Sequence, residues 1–125
     1  MLRGMRLEPD YPDWLAGSVT NAMVKAGRWK EARELALDVV SKNVKDENAR
    51  FNVTVALVVL SVWEGRPNEA KIRLTDLLSI RSNLTVARIK AEPRYSSIIN
   101  NVGDPGYVEK YISALKIAGL PDGTD

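Results

Sequence analysis

The chain contains no cysteine and no histidine. The first absence removes disulfides, thiolate nucleophiles and Cys-ligated metals. The second removes the side chain that most often serves as general base and as zinc ligand. Carboxylates and lysines remain, but Asp38, Glu47, Glu64 and Glu69 have no spacing that pairs them for acid–base work and read as solvated positions on helix faces. Gly103-Asp104-Pro105-Gly106 lacks the lysine and the length of a phosphate loop. No catalytic residue, cofactor site or metal site is therefore expected. A charge excess is lacking too: 18 basic residues against 16 acidic ones leave a net charge of +2, whereas nucleic-acid binders concentrate positive charge on one face. Nucleic acid is not an expected partner.

Long apolar stretches are equally scarce. Met1 to Leu7 carries Arg3 and Arg6 and no apolar run of signal-peptide length. The longest uninterrupted apolar run, Val55 to Leu60, falls far short of the ~20 residues that span a bilayer. The expectation is a cytoplasmic chain with no membrane contact, in which the sequons at Asn52 and Asn83 are chance matches. Hydrophobic residues nonetheless make up 45% of its 125 residues, ordinary for one globular domain.

What the chain does have is a repeat. Ala26-Gly27-Arg28-Trp29-Lys30-Glu31-Ala32-Arg33 returns as Glu64-Gly65-Arg66-Pro67-Asn68-Glu69-Ala70-Lys71, with Gly, Arg, Glu and Ala each displaced by 38 positions. A glycine, a short turn and Glu-Ala opening an amphipathic run make a helix–turn–helix corner, and its recurrence signals a repeat architecture.

The helices follow from spacing and punctuation. Pro9 and Pro12 close off the N-terminal segment. Asp13 caps a first helix that carries Leu15, Val19, Ala22, Met23 and Ala26 on one face and ends at Gly27. A second runs from about Lys30 to Lys42 with Ala32, Leu35, Ala36, Val39 and Val40 as its stripe, while Arg28, Lys30, Glu31, Arg33 and Glu34 form its wet side. The run from Phe51 to Trp63 is rich in valine, which favours strand. Its length, its lack of turn residues and the repeat register assign it instead to a third helix, Glu47 to Glu64, apolar nearly all round because it packs on several sides. A fourth starts near Pro67 with Ala70, Leu74, Leu77 and Leu78 inward and breaks at Arg81-Ser82-Asn83. Thr85 to Ala91 reads as a short helix ended before Pro93, and Arg94 to Val102 is ambiguous. Asp104-Pro105 opens a last helix with Val108, Tyr111, Ile112, Leu115 and Ala118 on one face and Glu109, Lys110, Ser113 and Lys116 on the other, closed by Gly119 and Pro121. Trp14, Trp29 and Trp63 are expected to fill core and inter-helix space, and Tyr107 and Tyr111 to pack the last helix.

The corner residues Gly27, Trp29 and Ala32, and again Gly65, Pro67 and Ala70, resemble the tetratricopeptide repeat, in which the alanine sits where two helices cross closely. The second unit departs from it in lacking the aromatic, and the small residue usual within the first helix is Thr20 in one unit and Val58 in the other. Leu7-Glu8-Pro9-Asp10-Tyr11-Pro12-Asp13-Trp14, together with Asp104-Pro105 through Leu115-Lys116-Ile117-Ala118-Gly119-Leu120-Pro121-Asp122, is similar to the opening and closing of the tetratricopeptide regions at the C-terminus of bacterial class III adenylate/guanylate cyclases of the rhizobial kind. That resemblance implies a C-terminal piece of a longer signalling protein whose catalytic domain lies outside this chain.

The expected fold is all-α: the tail of an upstream repeat (1–12), two tetratricopeptide-like hairpins (13–46 and 47–84) stacked as a short solenoid, and a C-terminal helical cap and tail (85–125). The expected function is a non-catalytic protein–protein interaction and regulatory module. Its partner is a protein or peptide, and the surface lined by the first helix of each hairpin is the natural site, with Asn21, Lys25, Asn52 and Thr54 as candidate contact residues. Lys25, Arg28 and Lys30 do not meet the clamp pattern by which some tetratricopeptide proteins hold anionic peptides. The alternative is a self-association element that dimerises an attached signalling domain.

Overall fold

Residues 13–42, 45–91 and 105–123 are described by a computed structural model. Among them every regular element is a helix: α1 (Asp13–Lys25), α2 (Trp29–Ser41), α3 (Glu47–Trp63), α4 (Pro67–Ile80), α5 (Val86–Ala91) and α6 (Pro105–Ala118). The segments 1–12 and Arg94–Val102, Asp104 and the side chains of Trp14 and Tyr107 lie outside what is described.

The valine-rich run is helical, and its surroundings explain why strand propensity lost. α3 packs against α1, α2, α4 and α6, and every residue from Val53 to Ser61 is buried. A helix satisfies its own backbone groups wherever it is buried, whereas a strand in that place would need a sheet partner. Asp46 starts α3, its carboxylate accepting the Ala49 N–H at 3.1 Å. Arg81, just past α4, reaches back to the start of α3, where it pairs with Glu47, donates to Asn48 at 3.0 Å and lies 4.9 Å from the Phe51 ring centroid.

Contacts between elements run from neighbour to neighbour. α3 lies against α1 and α2, and α6 lies against α3 and α4. The expected inner faces of α2, α4 and α6 are buried at Ala32, Ala36, Val39, Ala70, Leu74, Leu77, Tyr111, Ile112 and Leu115. Two stripes differ at particular positions. On α1 the buried residues among those described are Gly17, Thr20, Met23 and Val24, while Ala22 and Ala26 are exposed: the face turned toward α2 and α3 is rotated from the expected stripe. On α2 Val40 is exposed.

The C-terminal segment closes the fold. Leu120 folds back into the core behind Gly119. Pro121 and Asp122 carbonyls then accept the Val86 and Ala87 N–H groups, each at 2.9 Å. The Thr85 hydroxyl accepts the Arg88 N–H at 3.1 Å. Three of the donors that the start of a helix leaves open are thereby satisfied at α5.

Candidate interaction surface

The corners set the geometry of everything around them. At Gly27 the glycine N–H donates to Val24 O at 3.1 Å and the next N–H, from Arg28, to Met23 O at 2.8 Å. At Gly65 the pairs are Gly65 to Val62 at 3.1 Å and Arg66 to Ser61 at 2.8 Å; at Gly119 they are Gly119 to Lys116 and Leu120 to Leu115, both 3.0 Å. This double bond pattern needs a residue at positive φ, and the three glycines have φ of 79°, 72° and 117°. Ala32 and Ala70 then donate to Arg28 and Arg66 at 3.0 Å as the next helices begin, and both are buried.

Between the first two corners sits an ion cluster. Arg33 donates from Nε to Glu64 Oε1 at 2.9 Å, from Nη1 to Glu69 Oε2 at 2.5 Å and from Nη2 to Ser61 Oγ at 3.4 Å. Its side chain is only 12% exposed. Glu64 and Glu69 are thus partly buried rather than on open solvated faces, and Arg33 does not belong to a wet side: the three tie α2 to the second corner. Burial alone would lower the guanidinium pKa, but the hydrogen bonds to Glu69 and Glu64 and their charges outweigh it and raise the value. The other two acids are ordinary surface groups, Asp38 pairing with Lys42 at 3.0 Å and Glu47 with Arg81.

Behind the corners the aromatics meet. Trp29 and Trp63 are half-buried with ring centroids 5.3 Å apart, and Trp63 makes an edge contact with Tyr111 at 6.2 Å. Lys110 Nζ lies 4.7 Å from the Trp63 ring and 5.7 Å from that of Trp29. The rings are therefore packing, as their spacing suggested, and α6 is pinned to both corners by its lysine.

The four candidate contact residues do not form one open patch. Thr54 is only 4% exposed, so its assignment to an outward surface is corrected: on α3, enclosed by its neighbours, this position points inward. Asn52 is half-buried at the crossing of α1 and α3, where a Cβ on Gly17 would come within 2.9 Å of its own Cβ. Asn21 is half-buried and its Oδ1 makes no hydrogen bond among the described residues. Lys25 is exposed. Of the basic trio, Arg28 pairs with Glu31 at 3.8 Å and Lys30 is exposed.

Sequence reasoning missed a different surface. Where the start of α4 meets the end of α6, a groove of about 240 Å³ is lined by Val62, Gly65, Pro67, Ala70, Ile117 and Ala118 together with Lys71. Ile117 is 72% exposed there. Ile117 lies on α6 between Lys116 and Ala118, within the closing motif, and its exposure was open to being read as a break in that helix's polar face.

Among the described residues no group of three or more acidic side chains is placed to share a metal ion, and no helix is long and apolar enough to cross a membrane. No protein-family model, no curated protein and no solved structure matches this chain.

Proposed function

We propose that the chain is a non-catalytic protein–protein interaction and regulatory module of tetratricopeptide type, the C-terminal region of a bacterial class III adenylate or guanylate cyclase acting in the cytoplasm. The observation that carries the reading is a repeated relation. α6 lies against α3 and α4 as α3 lies against α1 and α2, and α1, α3 and α6 each end at a glycine closed by the same pair of hydrogen bonds. Stacked hairpins of this kind contact only their neighbours and present extended surfaces, which is what repeat proteins use to hold other proteins. The cyclase assignment rests on the two terminal motifs. The closing motif makes physical sense as a cap: Leu115, Ala118 and Leu120 are buried and Gly119 takes positive φ.

The test is made on the longer protein read from the reading frame upstream of Met1. A cyclase domain there, with activity or its regulation altered by deleting residues 13–123, supports both parts. A different signalling domain removes the cyclase assignment and keeps the module. Unchanged activity, regulation and partner binding after the deletion would refute the regulatory reading.

A further inference from the structure

The offset of 38 that relates the two hairpins places Lys71 of α4 in register with Arg33 of α2. Arg33 is held by Glu64, one residue before its corner glycine, and by Glu69, four after it. At the third corner the same two places are Ala118 and Gly123. Lys71 lines the groove against Ile117 and Ala118, and its ammonium makes no ion pair or hydrogen bond among the described residues. The neighbouring cations are engaged: Lys116 pairs with Asp122 at 3.4 Å, Lys110 sits over the tryptophans, and Arg66 and Arg73 pair with Glu69.

At the first two corners the chain continues into a helix that covers this position. After the third the described residues form no such helix. Leu120 turns into the core, and the Pro121 and Asp122 carbonyls serve the start of α5. Among the described residues the flank of α4 and α6 therefore keeps an apolar groove with the Lys71 ammonium unpaired beside it, in the register where the preceding step has two carboxylates.

We propose that this groove docks a helical turn of a partner protein carrying a glutamate followed by a small apolar residue. The inference rests on the reading of the chain as an interaction module and supplies its surface and the partner's chemistry. The chain itself contains the pattern: Glu69 bonds Arg33 and the adjacent Ala70 is buried where helices meet. In the groove the partner's carboxylate takes the Lys71 ammonium, and its small residue lies on Ala118 and Ile117. A charge-assisted bond at the edge of an apolar slot is directional, so the acid sets orientation while the apolar contact excludes water.

The test uses the intact chain and a synthetic peptide with the sequence of residues 66–80, the chain's own acid-bearing helix, followed through backbone amide shifts. Saturable shifts confined to Gly65, Ala70, Lys71, Ile117 and Ala118 are expected. Binding should be about tenfold weaker for the peptide carrying Glu69→Gln, the scale of one charge-assisted bond. Lys71→Glu in the intact chain should weaken binding similarly, and a peptide carrying Glu69→Lys should restore it; Lys71 is exposed, so that variant keeps its fold. Equal shifts with the Glu and Gln peptides, or none with either, overturn the groove. So do shifts at Ser61, Arg33 and Glu64, which would mean that the peptide displaces α4. Saturable shifts on α1 and the exposed edge of α3 overturn the groove while leaving the interaction-module reading in place.

Discussion

Three residues carry tension that a substitution would release or expose. Gly17 sits within α1, where glycine costs about 1 kcal/mol of helix stability relative to alanine. It is kept because α3 passes so close that a Cβ would fall 2.9 Å from Asn52 Cβ. Overpacking costs about 1–3 kcal/mol and outweighs the propensity gain, so Gly17→Ala should lower stability in urea unfolding. Thr20 is fully buried with a hydroxyl that has no hydrogen-bond partner among the described residues. Thr20→Val keeps the shape and removes the orphaned group, and should raise stability by about 1 kcal/mol in the same assay. Arg33→Ala would leave Glu64 and Glu69 facing each other, partly buried; a cost of about 2 kcal/mol is expected, between the ranges for exposed and buried pairs. Arg33→Lys should recover only part, since an ammonium cannot reproduce the fork. Because the folded guanidinium titrates above its ordinary value, its stabilisation is complete below the unfolded-state pKa and is lost only as pH rises through the folded one. The wild-type advantage over Arg33→Ala should therefore be flat from neutral pH to about pH 10. These features were hard to read from residues alone. Arg33 meets its carboxylates across 31 and 36 positions, and a charged residue beside other charges looks like solvent-facing surface until the corner brings them together.

At the scale of elements, legibility followed the clarity of the apolar stripe. α2, α4 and α6 each turn essentially one face inward, and their apolar spacing located that face at Ala32, Ala36 and Val39, at Ala70, Leu74 and Leu77, and at Tyr111, Ile112 and Leu115. On α1 the inward face runs through Gly17, Thr20 and Val24; with a glycine and a threonine on it, apolar spacing placed the stripe elsewhere, and Val24 and Thr20 went inward unannounced. α3 has no wet face along most of its length, which left its period silent and made the repeat register the deciding signal. The last helix behaves as a cap, with Glu109, Lys110, Ser113 and Lys116 outward and Tyr111, Ile112 and Leu115 inward. Burying Ile112 and Leu115 stabilises by about 1.5–3 kcal/mol each, against a total margin of about 5–15 kcal/mol for a domain. Truncation before Asp104 should lower the melting temperature sharply and promote aggregation. A truncated chain that melts as the intact one does would show that α6 is not a cap.

For the whole molecule, the open flank serves either an outside partner or a second copy of the chain. Ile72 and Ile117 are 61% and 72% exposed on α4 and α6, scattered apolar groups of the kind monomers carry rather than a continuous interface. The acid that the groove calls for is supplied within the chain by Glu69, which is already committed to Arg33. Sedimentation equilibrium on the purified chain at concentrations up to about 1 mM, a regime that detects association of only about 4 kcal/mol, tests this most directly. A single species of 13.9 kDa is the result expected of a module that holds other proteins. A reversible dimer, abolished by Ile117→Asp, would contradict it and assign the flank to self-association.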